Sequence, residues 1–450
     1  MIRTALAAAT LLLTLPAHAQ SQQEVLEGRY DRSLAAGYKA LMLCSAIANA
    51  EANGTTRSPE SVSQWELAGI QAPLGDIVPE LPFEVVRGPA GSIAHVAVSW
   101  ADEMPARFAT YSPGSGCYAE PIGALFPAPQ SAEPIAAREG RFEFLDEERS
   151  LAPVEAAFVG EAYGAGARTT AVLVVRDRMI EAERYAEGFD QRTPQRTWSV
   201  AKSIAATLVG TAVFRGEADI SASAGLGAYK ADPRRAISID HLLRMTSGRY
   251  SDTPGNRTDP LYWGGATVEE VALDWPLIAK PGSTFRYANN DTLAAVAAVK
   301  PTLAVRPPAE FFAQLGMTDT VAETDWQGNY ILSSQVWTTA HDLGCFGQLY
   351  LDDGVWNGTR ILPEGWVSYV SSPSGPQPEG PFGYGAGFWL MNRSEGVPAD
   401  TFAAFGNRGQ YVVIVPSRQV VIVRRGEDPV GKGFDIAAFT RDVLAALPAR

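Results

Sequence analysis

The segment Thr197-Trp-Ser-Val-Ala-Lys-Ser203 and the residues that follow it constrain the fold most. Val200, Ile204 and Leu208 recur at four-residue spacing, as do Ala201, Ala205 and Val209. That spacing predicts a helix, and apolar side chains fall on every side of it, so the helix must be buried. Other layers therefore have to be built around it. Lys202 lies in its first turn, where an apolar setting disfavours a charged amine and lowers its pKa. Residues three apart share one side of a helix, which puts the Ser199 hydroxyl beside that amine. The pair stands at a helix N-terminus, whose partial positive charge favours a developing anion. A serine activated by a neutral amine is a nucleophile, and of the six lysines only Lys202 has a serine three residues before it.

The flanking segments supply candidate layers. Thr169 to Val175 and Met179 to Tyr185 are β-rich runs around Arg176-Asp-Arg178, which reads as a hairpin. Tyr411 to Val415 and Val420 to Arg424 flank Pro416 to Gln419 as a second hairpin, and Phe434 to Leu447 follows as an apolar helix. Between them, about 200–365, helical periodicity dominates. Strands at both ends of a helical middle predict an α+β class, with the terminal strands sharing one antiparallel sheet.

The first nineteen residues read as an export signal: Arg3, an apolar run from Ala5 to Leu15, then Ala17-His-Ala19 before Gln20. No other apolar run approaches the roughly 20 residues that span a bilayer. A mature chain in a bacterial periplasm, or secreted, is expected. Residues 20–150 form an N-terminal region that precedes or wraps the rest. It has a helical pattern over Leu34–Ala50, short strands to Tyr118, and a linker or extended crossing from Pro121 to Pro134. In an oxidising compartment Cys44 and Cys117 are expected to pair and tether this region. Cys345, between Leu343 and Phe346, is expected as a buried thiol.

Several function classes are excluded. A net charge of −13, with no basic cluster to offset it, repels phosphate backbones, so nucleic acid is not an expected partner. No CxxC, HExxH or Cys/His cluster supports a metal, and no cofactor is expected. There is no G-x-S-x-G elbow, and after cleavage only His95, His241 and His341 remain. His241, with Ser238 as a plausible helix cap, reads as structural.

Further motifs occur in order: Ser199-Val-Ala-Lys202, His241-Leu-Leu-Arg-Met-Thr-Ser-Gly248, Pro281 to Asn289, Gly316-Met-Thr-Asp-Thr320, Asp342 to Gly354, Tyr384-Gly-Ala-Gly-Phe-Trp389 and Gly406-Asn-Arg-Gly-Gln-Tyr-Val. Over about 155–445 this order resembles the serine β-lactamase-like superfamily, on the side of class C β-lactamases, D-peptidases, family VIII esterases and nylon-oligomer hydrolases. The resemblance implies an antiparallel sheet flanked by helices plus an all-helical subdomain, spanning 151–450. It implies a serine hydrolase that cleaves a small ester or amide through an acyl-enzyme on Ser199.

The family's second motif maps onto Tyr287-Ala-Asn289. A phenol beside the Lys202 ammonium is expected to have a lowered pKa and to shuttle a proton, while Asn289 bonds the lysine or a substrate carbonyl. At the third motif the family carries Lys-Thr-Gly or His-x-Gly, whereas this chain has Gly406-Asn-Arg-Gly-Gln410 and neither Lys nor His. By resemblance to nylon-oligomer hydrolases, the backbone N–H groups of Ser199 and Asn407 form the oxyanion hole. Arg408 and Gly409 are expected to bind substrate, Arg408 through a carboxylate. Asp252, Tyr262 and Trp263 are expected to line the pocket. The changed third motif weighs against β-lactam substrates. Rival readings are a D-peptidase or β-lactamase acting on cell-wall-like substrates, and a non-catalytic ligand-binding protein on the same fold.

Overall fold

The computed structural model describes residues 17–89, 91–125, 145–146, 150–159, 161–250 and 259–447. Most of the expected export signal and of the Pro121–Pro134 crossing lie outside the described residues. The N-terminal region contains a long helix, α1 (Ala17–Ala52), and four strands: β1 (Phe83–Arg87), β2 (Ile93–Val98), β3 (Arg107–Ser112) and β4 (Gly116–Ala119). These strands form an antiparallel meander in the order β1-β2-β3-β4.

After the short β5 (Leu145–Asp146) come β6 (Thr169–Arg176), β7 (Met179–Tyr185), β8 (Gln195–Arg196) and the buried helix α2 (Val200–Phe214). The helical middle contributes α3 (Asn289–Ala298). It is followed by β9 (Val321–Ala322), β10 (Val336–Thr338), α4 (Ala340–Leu351) and a hairpin of β11 (Val355–Trp356) and β12 (Thr359–Arg360). The chain ends with β13 (Gly383–Tyr384), β14 (Trp389–Leu390), β15 (Phe402–Gly406), β16 (Gln410–Val415), β17 (Val420–Gly426) and α5 (Ile436–Ala446).

Eight of these strands make one sheet in the order β13-β14-β15-β16-β17-β6-β7-β5. β17 pairs antiparallel with β6, from Val420 opposite Arg176 to Gly426 opposite Thr169, so hairpins far apart in sequence join in one α+β sheet. Both faces are covered, and the central strands are accordingly near-continuous runs of valine and isoleucine. Successive side chains alternate between the faces. Leu173, Val175, Val412 and Val421 pack with Ile204 of α2 and Phe346 of α4. Val172, Val174, Val413 and Ile422 pack with Phe439 and Val443 of α5. Asp177 and Arg178 both take the left-handed conformation that a two-residue hairpin turn requires. Helix α2 is buried from Val200 through Ala212, as its pattern requires.

A second core lies under the N-terminal region. Leu41, Leu43 and Ile47 of α1 and Val96 and Val98 of β2 cluster with Tyr262, Trp263, Leu293, Ile331 and Trp337 from the rest of the chain. Cys44 and Cys117 form a disulfide between α1 and β4. Cys345 is a buried thiol in α4. Among the described residues no helix is long and apolar enough to cross a membrane.

Helix α1 approaches the segment Pro260–Gly264, a wide helical turn, through Gly37. A β-carbon added there would lie 2.0 Å from the Trp263 carbonyl oxygen and 2.9 Å from an Arg107 nitrogen. A backbone carbonyl cannot swing aside as a side chain can. Gly37→Ala is therefore expected to cost about 2–3 kcal/mol by overpacking, read by denaturant unfolding. An unchanged midpoint would show that α1 is free to shift.

Candidate active site

Ser199 occupies the N-cap position of α2, where a serine hydroxyl normally accepts from the helix N-terminus. Here the side chain makes no such bond, and its Oγ lies 3.0 Å from Lys202 Nζ. The lysine is almost fully buried among the apolar residues of α2. Its Nζ also reaches the Ser333 carbonyl oxygen at 3.0 Å and Asn289 Oδ1, at the first turn of α3. Desolvation lowers its pKa to about 7. A neutral amine has two N–H groups and one lone pair. The two carbonyl acceptors take both N–H groups, leaving the lone pair for the Ser199 hydroxyl proton.

Backbone geometry around the serine is specialised. Trp198 holds φ at 49°, a left-handed conformation that costs energy for a bulky residue and recurs at functional sites. The Arg196 guanidinium lies 3.7 Å from the Trp198 ring centroid and 4.6 Å from that of Tyr262, tying the two rings together. Gly406 lets the end of β15 approach. A β-carbon there would stand 2.3 Å from the Thr197 carbonyl oxygen and 3.2 Å from Ser199 N. Asn407 follows directly and lines the same cleft as Ser199.

Tyr287 lies beside Ser199, whose hydroxyl partly opposes the rise of its pKa, and its ring centroid lies 4.9 Å from Lys202 Nζ. The expected lowering of its pKa is not found. Burial pushes the phenol well above its ordinary value. An amine with a pKa of about 7 has lost its charge in the pH range where a phenol titrates, so it does not offset the desolvation. Tyr287 is thus a neutral phenol able to donate or accept.

The cleft has a volume of about 450 Å³. Its walls are largely aromatic, with Trp198, Tyr262, Trp263, Tyr287, Trp389 and Phe405, and polar groups come from Ser199, Asn289, Ser334 and Asn407. Asp259 is the one charged side chain among the described lining residues. Tyr262 and Trp263 therefore line the cleft, whereas Asp252 falls outside the described residues. Four contributors escaped the sequence reading, Phe405 at the end of β15 among them. Gln71 arrives from the N-terminal region, Asp259 from the turn before Tyr262, and the Ser333–Ser334 turn from between β9 and β10. Ser334 Oγ donates to the Tyr262 hydroxyl at 2.6 Å, and Asn289 Nδ2 reaches the same oxygen at 3.4 Å. A dipeptide of two serines in a loop offers no periodic signal by which to find it.

Arg408 and Gly409, expected to bind substrate, are not among the described lining residues of the cleft. Arg408 is buried away from the cleft, its Nε 2.7 Å from Glu427 Oε2 and its Nη2 donating to the Trp65 and Ala68 carbonyls of the N-terminal region at 2.9 and 2.7 Å. Burial pushes the Glu427 carboxyl up while the guanidinium pulls it down. Gly409 is small because Arg424 and Asp428 pair against it. A β-carbon there would lie 1.7 Å from Arg424 Nη1. Neither residue is placed to meet a substrate. His241 caps its helix, its Nδ1 accepting from Ser238 N at 3.1 Å while Ser238 Oγ accepts from His241 N at 3.2 Å.

A family model described as beta-lactamase matches residues 154–445. Among solved structures, the chain is similar to a provisionally assigned 6-aminohexanoate-dimer hydrolase from Bacillus anthracis, at 20% identity and a TM-score of 0.57 over 69% of this chain and 90% of that one. It is also similar to a provisionally assigned beta-lactamase from Bacteroides dorei, at 19% identity and a TM-score of 0.52 over 65% and 96% of the two chains. Likeness at these identities is a likeness of fold. No curated protein matches the chain.

The Arg408 arrangement has a measurable consequence. Arg408→Ala strands the buried Glu427 carboxylate and is expected to cost about 3–5 kcal/mol of stability in urea unfolding, with KM for a neutral ester unchanged. Intact stability with a raised KM would return Arg408 to the substrate.

Proposed function

The chain belongs to the beta-lactamase family of serine hydrolases, and from that premise we propose that it cleaves a small ester or amide through an acyl-enzyme on Ser199. The observation that carries this reading is the Lys202 amine, held near neutrality and 3.0 Å from Ser199 Oγ. Lys202 takes the hydroxyl proton as Oγ attacks the substrate carbonyl. The backbone N–H groups of Ser199 and Asn407 receive the oxyanion, helped by the N-terminus of α2. The proton passes from Lys202 through the neutral Tyr287 phenol to the leaving group. Water, deprotonated by the same pair, then releases the acid and restores Ser199.

Ester or linear amide substrates are favoured over β-lactams by the charges of the cleft. A β-lactam carboxylate would face Asp259 and no cation among the described lining residues, since Arg408 is engaged with Glu427. The aromatic walls suit an apolar acyl or leaving group. We also propose export: the Cys44–Cys117 bond accords with an oxidising compartment, and residues 151–450 with a hydrolase unit that residues 20–150 wrap. Mass spectrometry of the exported chain should then find Gln20 at its N-terminus, and retention of Met1 would remove the signal.

A fluorophosphonate probe tests the enzyme claim. It should label the wild type and not Ser199→Ala, and equal labelling of both would exclude a Ser199 nucleophile. Lys202→Ala and Tyr287→Phe should each slow acylation by about 10²-fold or more. Because the neutral amine is the base, the acylation rate should rise with pH through about 7 and then level. A rate flat from pH 5 to 9 would exclude Lys202 as that base.

A further inference from the structure

The disulfide joins the two segments of the N-terminal region that hold a buried carboxylate. Glu323, immediately after β9, is fully buried and accepts from five donors. Ser45 Oγ, next to Cys44, donates to Oε2 at 3.0 Å, and the backbone N–H of Cys117 donates to Oε1 at 2.9 Å. Asn49 Nδ2, one turn further along α1, reaches Oε1 at 3.2 Å. The other donors are Gln335 Nε2 and Trp337 Nε1, each 3.0 Å from Oε2. Burial raises the pKa of this carboxyl and the donors oppose it. Five donors saturate what a carboxylate can accept, and four of them are N–H groups that can only donate. Gly116 is glycine for the same reason: a β-carbon there would lie 2.6 Å from Glu323 Oε1.

The backbone of Glu323 is tied to the turn that seats the catalytic lysine. Glu323 N donates to the Gln335 carbonyl at 2.9 Å, and Ile331 N donates to the Glu323 carbonyl at 3.0 Å. Between those two bonds lie Ser333, whose carbonyl accepts from Lys202, and Ser334, whose hydroxyl holds Tyr262. One residue thus grips the 331–335 turn by its main chain and, through Gln335 and Trp337, by its side chain.

We propose that Glu323 is a positioning residue for Lys202, and that the disulfide-linked N-terminal region acts on turnover through it. The donors from α1 and β4 hold the carboxylate in place, the carboxylate holds the 331–335 turn, and the turn presents the Ser333 carbonyl that orients the amine. This rests on the Ser199–Lys202 reading above.

Two variants test it by turnover of p-nitrophenyl butyrate per active site, sites being counted by exhaustive fluorophosphonate labelling. Glu323→Gln keeps the volume but turns one acceptor into a donor that faces donors. Ser45→Ala/Asn49→Ala removes two of the N-terminal donors and leaves Glu323 itself, so it decides the matter should the first variant not fold. The expected result is an unchanged KM, with kcat per labelled site lower by about 10- to 100-fold for Glu323→Gln and about 3- to 10-fold for the double variant. A purely structural role would reduce the number of labelled sites and leave turnover per site at the wild-type value, and that result overturns the proposal. A wild type that takes no probe overturns the Ser199 reading instead, and this role with it.

Discussion

Removal of water from one amine is the condition on which the site depends. Lys202 can serve as a base near neutral pH only because α2 is apolar on all sides and buried between the sheet and the helical layer. Burial alone would leave the amine's N–H groups unsatisfied. Asn289 and the Ser333 carbonyl meet that need, and they come from different parts of the chain. The lone pair is then directed by elimination toward Ser199. The same desolvation that lowers the lysine pKa raises that of Tyr287, so one environment disfavours the charged form of both neighbours.

Legibility in the sequence followed the range of the interactions. The buried helix, both hairpins and the Ser199–Lys202 pair are local patterns: four-residue apolar spacing, strand runs around a short turn, and two residues on one helical face. Tyr287 and Asn289 lie far from Ser199 in the chain, and only the order of motifs in a family resemblance brought them into view. The roles expected of Arg408 and Gly409 came by the same route, yet neither residue is in the described lining of the cleft. A residue letter at the third motif does not say which way its side chain points, and here the N-terminal carbonyls of Trp65 and Ala68 capture the guanidinium. Tyr287 failed in sign for a related reason, since its expected shift assumed a lysine still charged where a phenol titrates, and burial lowers the amine's pKa to about 7.

The Ser333–Ser334 turn, Asp259 and Gln71 had no legible signal. Each acts through a carbonyl, a single side chain or a position in space, and none of these leaves a period or a motif. The N-terminal region was readable as a helix, short strands and a cysteine pair, but its contact with the cleft through Gln71 was not.

That region and the hydrolase unit complete one another's buried polar groups. Without the N-terminal carbonyls, Arg408 would keep Glu427 but lose two of its acceptors. Without Ser45, Asn49 and the Cys117 N–H, Glu323 would keep only Gln335 and Trp337 among the five donors. Unsatisfied buried groups of this kind cost about 1–3 kcal/mol each, and more when charged. Two units joined by apolar contact alone could separate and each remain whole. These cannot, because parting them would leave a guanidinium and a carboxylate short of partners, the carboxylate beside the turn whose carbonyl the Lys202 amine reaches. The disulfide lies at that same junction, between the two segments that supply Glu323, so the covalent link and the polar one restrain the same motion.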